Sequence, residues 1–279
     1  MNRSRTIAVD HGNRNMKTEN LIFTSGLVES ETEPSLGDFL YYNRKYYSLS
    51  NQRIPYMRDK TADEQFFILT LFEIAMEFDR ENLQAKNDII KVNLLVGLPL
   101  AHYGLLYRKF ERYFKSEGNI RFTYRKTSYT IIIGDVISYP QDYAAGMTIY
   151  PEIKRHTNAR IIDIEGFSVA YLELKNGAPN KDVCDSLENG VITLYKRIKC
   201  RVNSEFDLLL SEEEIDDIIL ERRTDFEERV QTLVRNVMAV FVDDLLGALR
   251  ERGLDLRTGC VAFVGGGTML GFIRNWRAL

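Results

Sequence analysis

A basic excess is missing from this 279-residue chain: its 37 Lys and Arg face 40 Asp and Glu, for a formal charge of -3. No net positive field is available to hold nucleic acid phosphates or an anionic membrane surface. Direct nucleic-acid binding and membrane attachment are therefore not expected. Cysteine is equally scarce. Cys184, Cys200 and Cys260 are widely spaced and odd in number, without the short paired spacing of a tetrahedral zinc site. They read as reduced, packed thiols. His11, His102 and His156 show no ligand spacing either, so no transition metal is expected. Long apolar runs are absent as well. The stretches 89–100 and 66–78 stop well short of the roughly 20 residues that cross a bilayer. Residues 1–10 pass straight into an apolar strand without the apolar core of a signal peptide, and the expected location is the cytoplasm.

What remains is ordinary globular material. With 44% hydrophobic residues, a chain of this length buries a substantial core as one large or two medium domains. Residues 6–10 alternate as a strand, 11–15 form a polar turn and 21–28 read as a second strand. A third strand is expected at 41–48. Thr61 and Glu64 make a T-x-x-E capping box before a helix running through Phe78. The apolar run 89–96 ends in Gly97-Leu98-Pro99, as a buried strand delivering a loop at its C-terminal end does. A helix over 103–114, strands at 121–124 and 129–139, and a short helix at 141–145 follow. At 160–174 the strand, turn, strand opening begins again. Helices are expected at 188–200, 211–222 (capped by Ser211 with Glu214) and 225–252, then a strand at 260–264. The repetition implies two related lobes, 1–150 and 151–279, joined by a hinge at 140–160.

Three segments carry chemistry. In the first, Asp10, Gly12, Asn13 and Lys17 occupy a turn between strands. Glycine lets backbone amides approach phosphate oxygens, lysine supplies a point charge, and aspartate can hold Mg2+ through water. In the second, Asp163 closes a strand before Gly166 and Ser168. The third, Gly265-Gly266-Gly267, follows an apolar strand, where bare backbone can pass close to a flat ligand. Each alone also fits a plain turn. Their order and matched contexts join them into one pattern.

That pattern, together with Val96-Gly97-Leu98-Pro99 and Pro140-Gln141-x-x-Ala144-Ala145, resembles the plasmid-segregation actins of Firmicutes over nearly the whole chain. The resemblance implies an α/β, two-lobed actin-like ATPase fold of the ribonuclease H-like type, with ATP or GTP and Mg2+ in a cleft between the lobes. It implies filaments that move plasmid copies, usually through an adaptor protein bound to DNA. Asp10, Gly12, Asn13 and Lys17 match the first phosphate loop, Asp163, Gly166 and Ser168 the second, and Gly265, Gly266 and Gly267 the adenosine loop. Asp10 and Asp163 match the metal-organising acids, and Gln141 the residue that orients the attacking water.

Two positions depart from the family pattern. Glu165 stands where it has a glycine, and Ala170 where it has an aspartate. A carboxylate about 4 Å from a phosphate charge is opposed by roughly 1–4 kcal/mol, and Glu165 would be strained if the turn required a positive φ. After the glycine loop only residues 269–279 remain, where the family usually continues with a further strand and helix. The leading reading is a nucleotide-hydrolysing filament protein. The alternative is an inactive structural or interaction subunit on the same fold, and a small-molecule kinase ranks last.

Overall fold

Alternation of exposed and buried residues carries β1 from Ser4 to His11 through the middle of a sheet. The computed structural model describes residues 4–57, 59–83, 89–98, 100–115, 118–141 and 149–270. It divides into two units, Met1–Gln141 and Asp142–Leu279.

The first unit contains β1, β2 (Asn15–Lys17), β3 (Ile22–Thr24), β4 (Leu27–Ser30), β5 (Phe39–Tyr42), β6 (Lys45–Leu49), β7 (Ile89–Leu98), β8 (Ile120–Tyr124) and β9 (Thr127–Pro140). They form one sheet in the order β3-β2-β1-β7-β9-β8-β5-β6-β4. β1, β7 and β9 run parallel, and the other pairs are antiparallel. Parallel neighbours need crossover connections, supplied here in part by α1 (Gln65–Arg80) and α2 (Leu100–Phe114). Helix α1 is apolar almost all round. Phe66, Leu69, Phe72 and Phe78 are buried with Phe110 and Phe114 of α2 in a single core, as expected for a helix held by tertiary packing rather than by its own propensity.

The second unit contains β10 (Asn158–Ile164), β11 (Val169–Lys175), β12 (Ala178–Leu187) and β13 (Cys260–Val264), ordered β12-β11-β10-β13. Its helices are α3 (Val191–Phe206), α4 (Glu212–Ile219) and α5 (Glu228–Glu251). Tyr195 and Ile198 of α3, Ile215 of α4 and Phe241 and Leu245 of α5 share one core. The two units repeat a topology. In each, a three-stranded antiparallel meander is followed by a strand parallel to the first: β3-β2-β1-β7 in one, β12-β11-β10-β13 in the other. The repeat read at 160–174 is thus a repeat of structure.

Several local expectations are corrected. The strand expected at 21–28 is two strands, β3 and β4, which lie in different parts of the sheet. Ser25 and Gly26 interrupt it, the Gly26 amide bonding back to the Thr24 carbonyl at 2.6 Å. The strand expected at 41–48 is the hairpin β5–β6, turned at Asn43 and Arg44, both with positive φ (48° and 66°). The capping box at Thr61 does not form. Helix α1 starts later, at Gln65, after an N-cap Glu64 that makes no side-chain cap, while the Thr61 hydroxyl bonds to Asp59 at 2.6 Å. The capping box of Ser211 with Glu214 does form. Cys200 is exposed, not packed, because it lies on the outer side of α3. No helix among the described residues is long and apolar enough to cross a membrane. Most of the helix expected at 141–145, and residues 271–279, lie outside the described residues.

Candidate functional site

In the first unit the antiparallel register sets Asp10, near the end of β1, directly opposite Lys17 on β2. Their side chains are about 30% exposed and meet at 3.2 Å, Lys17 Nζ to Asp10 Oδ2. Gln141 Nε2 donates to the other oxygen, Oδ1. One carboxylate therefore holds a cation and an amide at once. Gln141 is buried, and its Oε1 has no hydrogen-bond partner among the described residues, a costly arrangement for a buried carbonyl unless something else uses it. Gly97, at the end of β7, makes the approach sterically feasible: a Cβ there would sit 2.6 Å from Gln141 Cγ. Asp10, Lys17 and Gln141, all expected from the sequence, are brought into direct contact.

The turn itself is tethered from below. His11 is fully buried, packed at 4.8 Å between ring centres from Phe114 and 5.2 Å from Phe110. Thr70 Oγ1 donates to the Phe66 carbonyl at 2.7 Å, so it accepts from His11 Nε2 at 2.8 Å, which places the imidazole proton on Nε2. Burial, and secondarily the nearby Lys60 ammonium, push the His11 pKa well below its ordinary value, and the ring is neutral at pH 7. The Lys60 ammonium donates to the His11 carbonyl. Ser25 Oγ donates to the Gly12 carbonyl at 2.6 Å, and the Ser25 amide to the Arg14 carbonyl at 2.9 Å.

Helix α1 adds a polar stripe, Thr70, Glu73 and Glu77, at helical spacing on an apolar helix. Glu77 accepts from Thr18 Oγ1 at 2.5 Å and from Asn20 at 3.2 Å. Burial acts to raise the Glu77 pKa, but these bonds and one from Arg80 outweigh it and leave the group below its ordinary value. Glu73 is different. It is fully buried with neither carboxylate oxygen hydrogen-bonded to a described residue. Burial first, then the charges of Asp10 and Glu77, push its pKa well above its ordinary value, so the protonated form is favoured in the fold.

In the second unit the equivalent place is taken by Asp163, nearly buried on β10 opposite Ala170 of β11 and Val264 of β13. Gly265 follows β13 with φ 90°, and a Cβ there would collide with Asp163 Oδ1 and lie 2.5 Å from the Ile164 carbonyl oxygen. Glycine is required on both counts. Gly266 opens a 3-10 turn, Gly266–Leu270, and Gly267 is buried against Ile164 and Val191. The loop carrying Glu165, Gly166 and Ser168 closes through Glu165 N to Ser168 O at 2.9 Å. Its carbonyls receive the first amides of α3: Gly190 N to Phe167 O at 2.8 Å, Val191 N to Glu165 O at 3.0 Å and Ile192 N to Gly166 O at 2.7 Å. The open donors of the helix N-terminus are thereby satisfied. Because the peptide is planar and trans, each carbonyl turned toward α3 turns the following amide, of Gly166, Phe167 or Ser168, the other way. Glu165 is not among the residues with positive φ, so the strain conditional on that conformation does not arise.

Sequence reasoning missed Ser25, Lys60 and Glu73. Glu73 had a signal, acids and a threonine at positions 70, 73 and 77 of an otherwise apolar helix. Ser25 and Lys60 had none, since each acts through contacts 13 and 49 residues away along the chain.

Residues 42–143 match the family model described as actin like proteins N terminal domain. No curated protein matches the sequence. Among solved structures, the chain is similar to an archaeal actin homolog, Ta0583, with a TM-score of 0.77 and 16% identity over 96% of this chain and 89% of that one. It is similar to a ParM in a 15-stranded filament from Clostridium botulinum, with a TM-score of 0.74 and 17% identity over 98% and 91%. A Bacillus thuringiensis ParM solved with AMPPNP gives 0.65 and 13% identity over 98% and 90%. The fold is the actin-like α/β fold, and the likeness to the plasmid-segregation actins read from the motifs is borne out at that level.

Proposed function

We propose that this chain, actin-like in fold, binds ATP or GTP with Mg2+ and self-assembles under the nucleotide's control as a plasmid-segregation filament protein. The observation that carries the reading is the double contact of Asp10, with Lys17 and with Gln141, at the end of β1 where the motif places phosphates. Lys17 is partly exposed and near an acid it can leave for a phosphate. The Oε1 of Gln141, with no hydrogen-bond partner among the described residues, is an acceptor suited to orienting a water. Asp10 and Asp163 supply hard carboxylate oxygens of the kind Mg2+ takes, directly or through water. A bound Mg2+ would neutralise phosphate charge. In the first unit Lys17 would hold phosphate oxygens and Gln141 would fix the nucleophile's direction; in the second, the outward amides of the 165–168 loop are donors of the kind phosphate takes. The filament and AMPPNP-bound states of the ParM neighbours, and an ADP complex of the archaeal homolog, agree with this reading.

The second reading, an assembling but inactive subunit, is favoured by one observation. Glu165 is a half-buried carboxylate in the second loop, where its charge opposes phosphate. Both readings keep nucleotide binding. They separate on phosphate release under saturating magnesium nucleotide, which the inactive subunit lacks.

Nucleotide binding is tested by titrating fluorescent ATP and GTP analogues against wild type and Lys17→Ala. Loss of a charge-assisted contact weakens binding by roughly tenfold or more. Equal binding by the two proteins, or none by wild type, contradicts the site.

A further inference from the structure

The carbonyls of the first loop are tied down as those of the second are, but by two side chains and a loop amide in place of a helix. In the second unit the N-terminus of α3 takes the carbonyls of Glu165, Gly166 and Phe167. In the first, Lys60 takes the His11 carbonyl, Ser25 Oγ takes that of Gly12 and the Ser25 amide takes that of Arg14. We propose that Lys60 and Ser25 are positioning residues for anion binding: by holding the carbonyls of His11 and Gly12 inward, they turn the amides of Gly12 and Asn13 outward as a phosphate cradle.

The geometry follows from the peptide unit. A planar trans peptide points its N–H opposite to its C=O, so the Gly12 amide faces away from Lys60 and the Asn13 amide away from Ser25. Both holders are themselves fixed. Ser25 is fully buried, and its carbonyl accepts from the Ile54 amide at 2.8 Å. Lys60 is 5% exposed, with its ammonium 5.3 Å from the centre of the Phe66 ring. A buried ammonium is costly to keep, and here it is bonded to the backbone of a loop that the resemblance assigns to phosphate. It also places positive charge beneath that loop, where low surrounding polarity strengthens its field. Successive amides directed outward from a turn form an anion-binding concavity. Neither residue touches the ligand, and the proposal rests on the nucleotide reading above.

The test compares wild type, Lys60→Met, Ser25→Ala and Ser25→Thr, each confirmed as folded by circular dichroism. Affinities are measured for magnesium ATP and GTP, and for adenosine and guanosine, which lack phosphate. Lys60→Met and Ser25→Ala should bind the triphosphate roughly tenfold more weakly and its nucleoside unchanged. Ser25→Thr, which keeps the hydroxyl, should stay close to wild type. Triphosphate affinity unchanged in folded Lys60→Met and Ser25→Ala overturns the proposal, as does an equal loss for nucleoside and triphosphate. If Lys60→Met does not fold, Ser25→Ala against Ser25→Thr decides. Wild type that binds no triphosphate overturns the nucleotide reading and this inference together, whereas wild-type binding with unaffected variants overturns this inference alone.

Discussion

Asp10 and Glu73 are neighbouring acids with opposite fates. Asp10 pairs with Lys17 and Gln141, whereas Glu73 has no hydrogen-bond partner among the described residues and is pushed toward its protonated form by burial. A charge on Glu73 would repel that of Asp10, which is one cause of its raised pKa. A consequence for stability follows. The unfolded chain ionises this glutamate above about pH 4.3, while the folded chain holds the proton to higher pH, so the folded state binds more protons in that window and loses stability as pH rises through it. Glu73→Gln does not titrate. Its stability relative to wild type should therefore improve from pH 5 to pH 8, as read by urea midpoints at the two values. A difference that is the same at both pH values would show that Glu73 is ionised or otherwise paired. The placement of Asp10 and Asp163 on matched hairpins was legible in the sequence, because in both places an acid precedes a glycine-containing turn between strands. Glu73 was not, because its helix was read for its apolar residues and the polar stripe at 70, 73 and 77 was passed over.

At the scale of elements, the two hairpins use one plan with different fittings. Asp10 opposite Lys17 on β1 and β2 corresponds to Asp163 opposite Ala170 on β10 and β11. A glycine follows the neighbouring parallel strand in the second unit and lies one residue before its end in the first: Gly265 against Asp163, Gly97 against Gln141. Gly265 is the more constrained, with both a positive φ and contact with backbone. Gly265→Ala should lower stability by roughly 1–3 kcal/mol, as overpacking does, and weaken nucleotide binding by displacing Asp163. Unchanged thermal unfolding would mean that the loop yields without cost. Strands β7, β9 and β13 and helices α1 and α5 were legible to within a few residues, since each is long or bounded by turns. The β5–β6 hairpin was not, because Asn43 and Arg44 turn the chain without glycine or proline. The start of α1 was misread because Thr61 and Glu64 have capping spacing, but Asp59 takes the Thr61 hydroxyl.

For the whole molecule, the fold was legible because the strand, turn, strand opening occurs twice, and the two units do repeat one sheet topology. Function is less directly written. Fold likeness at 13–17% identity fixes architecture, while binding and assembly rest on particular side chains. In a nucleotide-controlled filament protein, the ligand favours the assembling conformation by binding it more tightly than the other. Sedimentation of the purified chain without nucleotide, with magnesium ATP and with magnesium GTP tests this most directly. The account predicts a pelleting polymer only with a triphosphate, lost in Lys17→Ala at the same nucleotide concentration. A chain that stays monomeric at high concentration with either nucleotide, or that pellets equally without one, would contradict it.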